Sequence, residues 1–165
     1  MNTRDLVPTL TTLFSELVTG AEQSSYVLNR DDLGLLRSLD KLSAADASRA
    51  ATGATIAAHV DHLRYGLSLM NRWTAGEDPW PNADWSKSWL ITKVSEQDWQ
   101  QVLAKLRTEA ERLLAAFGAP REVNTVDLNG MVGAIVHLAY HLGAIRQIHR
   151  AATGPKESNA PSTIG

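Results

Sequence analysis

The segment 130–149 reads GMVGAIVHLAYHLGAIRQIH, and apolar residues lie almost all round it when it is drawn as a helix. Such a helix is expected to be buried rather than half exposed to solvent. It places His137 and His141 four residues apart, a spacing that stacks side chains on one helix face. Two neutral imidazoles can then converge on one transition-metal ion. The competing interpretation is two core histidines bonded to backbone carbonyls or water, and a third ligand elsewhere would decide.

The composition of the chain is that of one ordinary globular domain. It has 165 residues, of which 44% are hydrophobic and 21% charged, and no cysteine, which excludes thiolate metal ligands and cysteine nucleophiles. The net charge of −2 and the scattered basic residues argue against nucleic-acid binding. The N-terminus lacks an apolar signal segment, and no apolar run approaches the roughly 18 residues of a membrane span. We therefore expect a cytoplasmic protein that contacts neither nucleic acid nor membrane.

Four stretches of the chain have the apolar periodicity of long helices. Helix one covers 4–20, where Pro8 is tolerable only in the first turn. Helix two covers 55–75, helix three begins near Ser95, and helix four ends near residue 152 after a connection at 118–127. The sequence predicts an all-α, four-helix bundle as a single domain over residues 1–154, followed by a flexible polar tail at 155–165.

Two connections between the helices are unusual. Residues 21–54 show no strand alternation, so we expect a long crossover between helices one and two with one or two short helical turns, Ser43 being a possible N-cap. Residues 76–94 have the Gly, Pro, Asn and Asp content of a loop. Most of the tryptophans lie in this loop or just beyond it, from Trp80 to Trp99. The indoles could close one end of the bundle, line a pocket or form a subunit contact, and the sequence leaves these open.

A third histidine ligand is expected on helix two, which carries His59 and His62. At about 100° per residue, His59 lies roughly 60° from the centre of the apolar stripe of this helix and His62 roughly 120°. His59 is therefore the preferred third ligand. His62 is expected near solvent, as a supporting, alternative or unrelated residue. His149 lies about 80° from the face of His141 and is expected on the surface.

These motifs resemble those of the DinB/YfiT-like proteins, which are four-helix bundles with a three-histidine metal site. The matching segments are TIAAHVDHL at 55–63 and HLAYHLGAI at 137–145, and the helix order extends the resemblance over most of residues 4–152. The resemblance implies a divalent metal, zinc or nickel, held by His59, His137 and His141, with His62 as the fallback on helix two. In several relatives it also implies metal-dependent transfer of a low-molecular-weight thiol, such as mycothiol or bacillithiol.

Three functions are compatible with these features. The first is a metal-dependent transferase or hydrolase that passes a thiol or water to a small electrophilic substrate. No catalytic acid or base is assigned, because Leu138 stands where HExxH proteases carry glutamate. The second is a non-catalytic, stress-related bundle that binds a metal or an apolar ligand, and the third is a metal-free interaction module. We also expect a homodimer, since twofold dimers are the commonest homo-oligomers and pairing is common in such relatives.

Overall fold

The computed structural model describes residues 3–21, 25–51, 53–119 and 122–156, and the regular structure of these residues is helical, without a β-strand. The all-α prediction is therefore confirmed. The α-helices are α1 (Thr3–Thr19), α2 (Gly34–Leu39), α3 (Ala44–Ala47), α4 (Ile56–Thr74), α5 (Glu96–Gly118) and α6 (Thr125–Ile148). Three 3₁₀ turns cover Trp80–Asn82, Lys87–Leu90 and Arg150–Ala152.

The four long helices α1, α4, α5 and α6 share one hydrophobic core. α4 packs against α5 and α6, and α1 packs against the same two helices, so each long helix has two long neighbours. Burying one large apolar side chain stabilises the fold by about 1.5–3 kcal/mol, and all four helices contribute such side chains. The largest fully buried ones are Phe14, Leu17, Ile56, Leu63, Trp99, Leu106, Leu113, Phe117, Met131 and Leu138.

Side-chain caps determine where several helices begin. Ser43 and Ser95 each form a capping box, with Asp46 and Asp98 as the reciprocal partners, which confirms both predicted starts. The last helix begins earlier than the predicted connection at 118–127 allows. Its N-cap is Asn124, whose Oδ1 accepts hydrogen bonds from two backbone N–H groups, at 2.8 and 3.0 Å. The prediction missed this cap because it followed the apolar residues, which become dense only after the first turn.

Helix α1 differs from expectation in one respect. Pro8 is the sixth residue of this helix, beyond the first turn, so α1 lacks one intrahelical hydrogen bond there. Its end agrees with expectation: Gly20 follows the last helical residue with φ +100°, the left-handed conformation that favours glycine. A Cβ at Gly34 would lie only 2.4 Å from the Gly20 backbone nitrogen, so the two glycines let α2 begin against the end of α1.

The crossover between α1 and α4 contains two short helices, α2 and α3, as predicted, and buried carboxylates attach it to the long helices. Glu16 on α1 accepts hydrogen bonds from the backbone N–H groups of Val27 and Leu28, at 2.8 and 2.6 Å. Asp32, which is 2% exposed, accepts from the Gly34 backbone at 2.8 Å and from Arg146 Nη2 on α6 at 2.7 Å. One crossover therefore connects the first long helix to the last.

Helix α6 is not buried all round, contrary to the expectation from its apolar circumference. Its sides against α1 and α4 are covered, but Val132, Val136 and Tyr140 are 43%, 60% and 70% exposed. The sequence could not show this, because an apolar circumference does not say how many neighbours a helix has. By length and composition, α6 is also apolar enough to cross a membrane, although no segment of the sequence was expected to be. One such helix is weak evidence for a span, since core helices pass the same test.

The C-terminal segment after α6 folds back onto the crossover. His149 was expected on the surface, but its Nε2 lies 3.1 Å from the Asp46 carboxylate and its side chain is only 16% exposed. Asn29 donates a hydrogen bond to the carbonyl of Pro155 at 2.8 Å, at the start of the predicted tail. The rest of that tail, 157–165, lies outside the described residues.

Replacing Arg146 with methionine tests the buried ion pair. We expect Arg146→Met to lower the free energy of unfolding by about 3–5 kcal/mol, because it leaves the Asp32 carboxylate buried without its charged partner. The matched control is Arg107→Met, which removes an exposed pair with Asp40 at 3.2 Å and should cost about 1 kcal/mol or less. Urea unfolding followed by far-UV circular dichroism measures both, and equal midpoints for the two variants would contradict the role given to Arg146.

Candidate metal centre

Four histidines meet where α4 packs against α6. His59 and His62 come from α4, and His137 and His141 come from α6. The start of α4 is held by Thr55, whose hydroxyl accepts from the Ala58 N–H at 3.1 Å and donates to a backbone carbonyl at 2.6 Å. Because both histidine pairs lie on regular helices packed on one core, their positions are set by that core rather than by a loop.

The ring nitrogens of these histidines contact one another. His141 Nε2 lies 2.9 Å from His137 Nε2, and His137 Nε2 lies 3.1 Å from His62 Nε2. On the other side of its ring, His141 Nδ1 lies 2.9 Å from His59 Nδ1. These contacts run from ring to ring, whereas the competing interpretation expects a bond from each ring to a backbone carbonyl or water.

Three of the histidines could hold a metal ion. One nitrogen from each of His62, His137 and His141 lies within 4.8 Å of the other two. A neutral ring nitrogen offers either one proton or one lone pair, so His137 Nε2 cannot satisfy both of its neighbours by hydrogen bonding. Nitrogens about 2.0–2.1 Å from a tetrahedral zinc ion would be about 3.3 Å apart. The separations of 2.9 and 3.1 Å are close to this value, and the third pair, His62 with His141, lies within 4.8 Å. His62 Nδ1 is buried without a hydrogen-bond partner, so the cluster leaves polar capacity unused.

The surroundings keep these imidazoles neutral. The pKa of His62 is lowered to about 4 and that of His141 to about 3, mainly by burial and in smaller part by the neighbouring histidines, while Asp61 partly opposes the shift at His62. Burial also lowers the pKa of His59 and His137. At neutral pH all four therefore carry the uncharged form, which is the form that binds metal ions.

The predicted burial of the two α4 histidines is reversed in the structure. His62, expected near solvent, is 8% exposed, whereas His59 is half-buried. A spacing of about 100° per residue places His62 near solvent only if α4 buries one narrow apolar seam. The tryptophan-bearing segment between α4 and α5 also covers α4 on the side of His62, with Trp89 4.4 Å and Trp85 5.3 Å from its ring, centroid to centroid. Which of His59 and His62 ligates an ion remains a prediction.

Hydrogen bonds to α4 hold the tryptophan-bearing segment in place. Asp61 accepts from Ser88 Oγ at 2.6 Å and from Arg64 Nε at 2.8 Å, and Tyr65 Oη accepts from the Asp84 N–H at 2.9 Å. Asp61, next to His62 in the chain, is therefore engaged in holding this segment. This role of Asp61 was not predicted from the sequence. Its partner, Ser88, lies 27 residues further along the chain, and the aspartate alone does not indicate it.

A cavity of about 450 Å³ adjoins the histidine cluster, between α4, α6 and the tryptophan-bearing segment. Trp80 and Trp85 line this cavity. Of the roles that the sequence leaves open for the indoles, these two therefore have that of a pocket wall. Trp99 differs, since it is fully buried in the core and donates to the Leu42 carbonyl at 2.8 Å. The lining residues are His62, Leu63, Gly66, Leu67, Met70, Trp80, Trp85, Gly130, Gly133, Ala134 and His137.

Comparisons of the chain with protein-family models, with curated proteins and with solved structures found no match. The class of protein that the fold and the site define is therefore an all-α protein with a histidine cluster that could hold a metal ion.

Proposed function

We propose that this protein is a DinB/YfiT-like four-helix bundle enzyme that transfers a low-molecular-weight thiol, or water, to a small electrophilic substrate with a histidine-bound divalent metal. Zinc and nickel are the ions we favour, because both accept imidazole ligands. The observation that carries the proposal is the convergence of ring nitrogens from His62, His137 and His141 beside a cavity large enough for a small molecule.

We propose His62, His137 and His141 as the ligands of the ion. His59 would then orient His141, because its Nδ1 lies 2.9 Å from the Nδ1 of His141, and metal-bound histidines usually have such a partner at the second nitrogen. The set proposed from the sequence, with His59 in place of His62, is the alternative. Three histidines leave a coordination position open, which is typical of catalytic rather than structural sites.

The ion, when bound, supplies Lewis acidity that favours the deprotonated form of a thiol or water. The surrounding residues of the chain would bind and shield the reactants. Trp85 and Trp89 lie against the histidine rings and restrict water on that side. Among the described residues no carboxylate lines the cavity, and the two histidines that line it are proposed as ligands. A thiol is therefore a better reactant than water, because it deprotonates more easily.

A second function has support from the same observation. A cavity without a carboxylate or hydroxyl in its lining is also what a non-catalytic, stress-related binding protein would have. In that case the histidines would hold an ion or a ligand without turnover. Metal analysis does not separate the two functions, but an activity measurement does.

We further propose that the protein is a cytoplasmic homodimer. The exposed side of α6 with Val132, Val136 and Tyr140 carries no charged residue between Asp127 and Arg146, so a partner should present an uncharged apolar surface. A second copy related by a twofold axis presents such a surface itself.

Metal analysis of untagged protein tests the ligand assignment. We expect about one equivalent of a first-row transition metal in the wild type and loss of most of it in His62→Gln and in His137→Ala/His141→Ala, because fewer than three ligands remain. His59→Gln should weaken binding by about 10–100-fold, the typical effect of losing a supporting partner.

The matched control for these variants is His149→Gln, which removes a histidine outside the cluster and should keep the wild-type metal content. Sub-stoichiometric metal in the wild type that does not change in the variants would overturn the metal centre. Full metal content in His62→Gln with loss in His59→Gln would instead assign the ligand position on α4 to His59.

Turnover with a model electrophile tests the transferase proposal. With monochlorobimane and a panel of cellular thiols, a sulfur–carbon bond forms as the carbon–chlorine bond breaks, and chloride and a proton are released. We expect the fluorescent product to form at least about 100-fold faster with metal-loaded wild type than with His137→Ala/His141→Ala, since one well-placed catalytic group typically contributes this much. A metal-loaded protein without turnover for any thiol would favour the non-catalytic function.

Sedimentation equilibrium tests the dimer. We expect the wild type to be dimeric and Val136→Glu to be monomeric at micromolar concentration, because each twofold contact would bury two unpaired carboxylates. Ala104→Glu, a similar change at an exposed position of α5, is the control and should stay dimeric. A monomeric wild type would refute the dimer, and a dimeric Val136→Glu variant would exclude this face of α6.

A further inference from the structure

We propose that the cavity beside the histidines binds an uncharged, largely apolar ligand with a ring system. The space left by the absence of a side chain at Gly133 then sets how large this ligand can be. The identity of this ligand rests on the proposed function: if that function is right, the ligand is the electrophilic acceptor. Away from the ion, the cavity would then favour neutral aromatic or alicyclic groups of the acceptor over charged groups.

The absence of charge in the lining indicates an uncharged ligand. None of the side chains that line the cavity is Asp, Glu, Lys or Arg, and its titratable groups are the imidazoles of His62 and His137. In the metal-free protein, an ionised carboxylate, phosphate or ammonium group that entered would lose its hydration without meeting an opposite charge in the lining, which is unfavourable. A neutral molecule has no such cost.

The shape and surface of the lining indicate a ring system. Leu63, Leu67 and Met70 form an apolar side, and the indoles of Trp80 and Trp85 form another. Flat apolar ligands gain from burial against aliphatic groups and from edge or offset contacts with aromatic rings. The cavity volume of about 450 Å³ lies within the range of about 300–1,000 Å³ that is typical of small-molecule sites.

Two glycines of α6 that line the cavity serve different purposes. A Cβ at Gly130 would come within 2.6 Å of the Trp73 ring, so packing alone requires a glycine there. A Cβ at Gly133 would meet nothing within 4 Å, so there is open space at this position beside the cavity. A larger side chain at Gly133 would therefore occupy space that a ligand would use.

The location of the cavity explains why its ligand would be the acceptor. His62 and His137 line the cavity, and the same two residues belong to the group that could hold an ion. A ligand in the cavity would lie against these rings and within reach of a nucleophile activated there.

Two fluorescent probes that differ by one charged group test the binding site. N-phenyl-1-naphthylamine is uncharged, and 1-anilinonaphthalene-8-sulfonate has the same ring system with a sulfonate. Both are titrated into full-length protein freed of metal with a chelator, so the result does not depend on the metal centre. We expect the uncharged probe to bind at least about tenfold more tightly than the sulfonate, because the lining offers no charge to compensate for its lost hydration.

Substitutions assign this binding to the cavity. Gly133→Leu should weaken binding of the uncharged probe by at least about tenfold, because the new side chain would occupy the open space beside Gly133. Gly118→Leu, the same substitution at the exposed end of α5, meets nothing within 4 Å and should bind as the wild type does. Circular dichroism confirms that both variants are folded. Equal affinity for the two probes, or unchanged affinity in Gly133→Leu, would overturn the proposal.

The same variants separate this inference from the proposed function. With metal restored, Gly133→Leu should keep the wild-type metal content but lose most of its rate with the neutral aromatic electrophile 1-chloro-2,4-dinitrobenzene and a cellular thiol. Probe binding without turnover in the wild type would overturn the acceptor assignment and leave a binding site. Turnover that is equal in wild type and Gly133→Leu would show that the acceptor binds elsewhere, even if the metal-dependent reaction is right.

Discussion

The desolvation of four imidazoles between α4 and α6 is the constraint on which the rest of the site depends. Burial disfavours their charged forms, so the pKa of His62 falls to about 4 and that of His141 to about 3. Neutral rings 2.9–3.1 Å apart cannot all satisfy one another by hydrogen bonding, since each nitrogen has one proton or one lone pair. A shared cation would use the lone pairs that such a cluster leaves over. Burial therefore keeps these residues in the uncharged form, which is the form that could hold a metal ion.

The rest of the fold keeps this cluster in register. α6 carries two of the histidines, and Arg146 near its end is bonded to the buried Asp32 of the crossover, which fixes that end of the helix. α4 carries the other two, and Asp61 on α4 holds the tryptophan-bearing segment through Ser88. That segment covers His62 and forms a wall of the cavity. The charged side chains thus act at a distance from the uncharged cavity, where they position the elements that enclose it.

Local patterns were enough to predict the scaffold. The periodicity of apolar residues depends on the geometry of one helix, so the long helices and the pairing of His137 with His141 could be read from the sequence. The caps at Ser43 and Ser95 also could, because a capping box joins residues three positions apart. Asn124 and Asp127, three residues later, form the same kind of capping box. This helix start was not predicted, because the prediction followed the apolar residues.

The sequence by itself therefore determined the long helices, their order and the placing of two histidines about one turn apart on each of two helices, since each follows from spacing within about one helical turn. The tertiary structure decided which side of each helix is covered. It buries His62 under indoles that follow it by more than twenty residues, leaves Val136 exposed on an apolar helix, and opens a cavity beside Gly133. These features depend on contacts between distant parts of the chain, and periodicity along one helix carries no information about them.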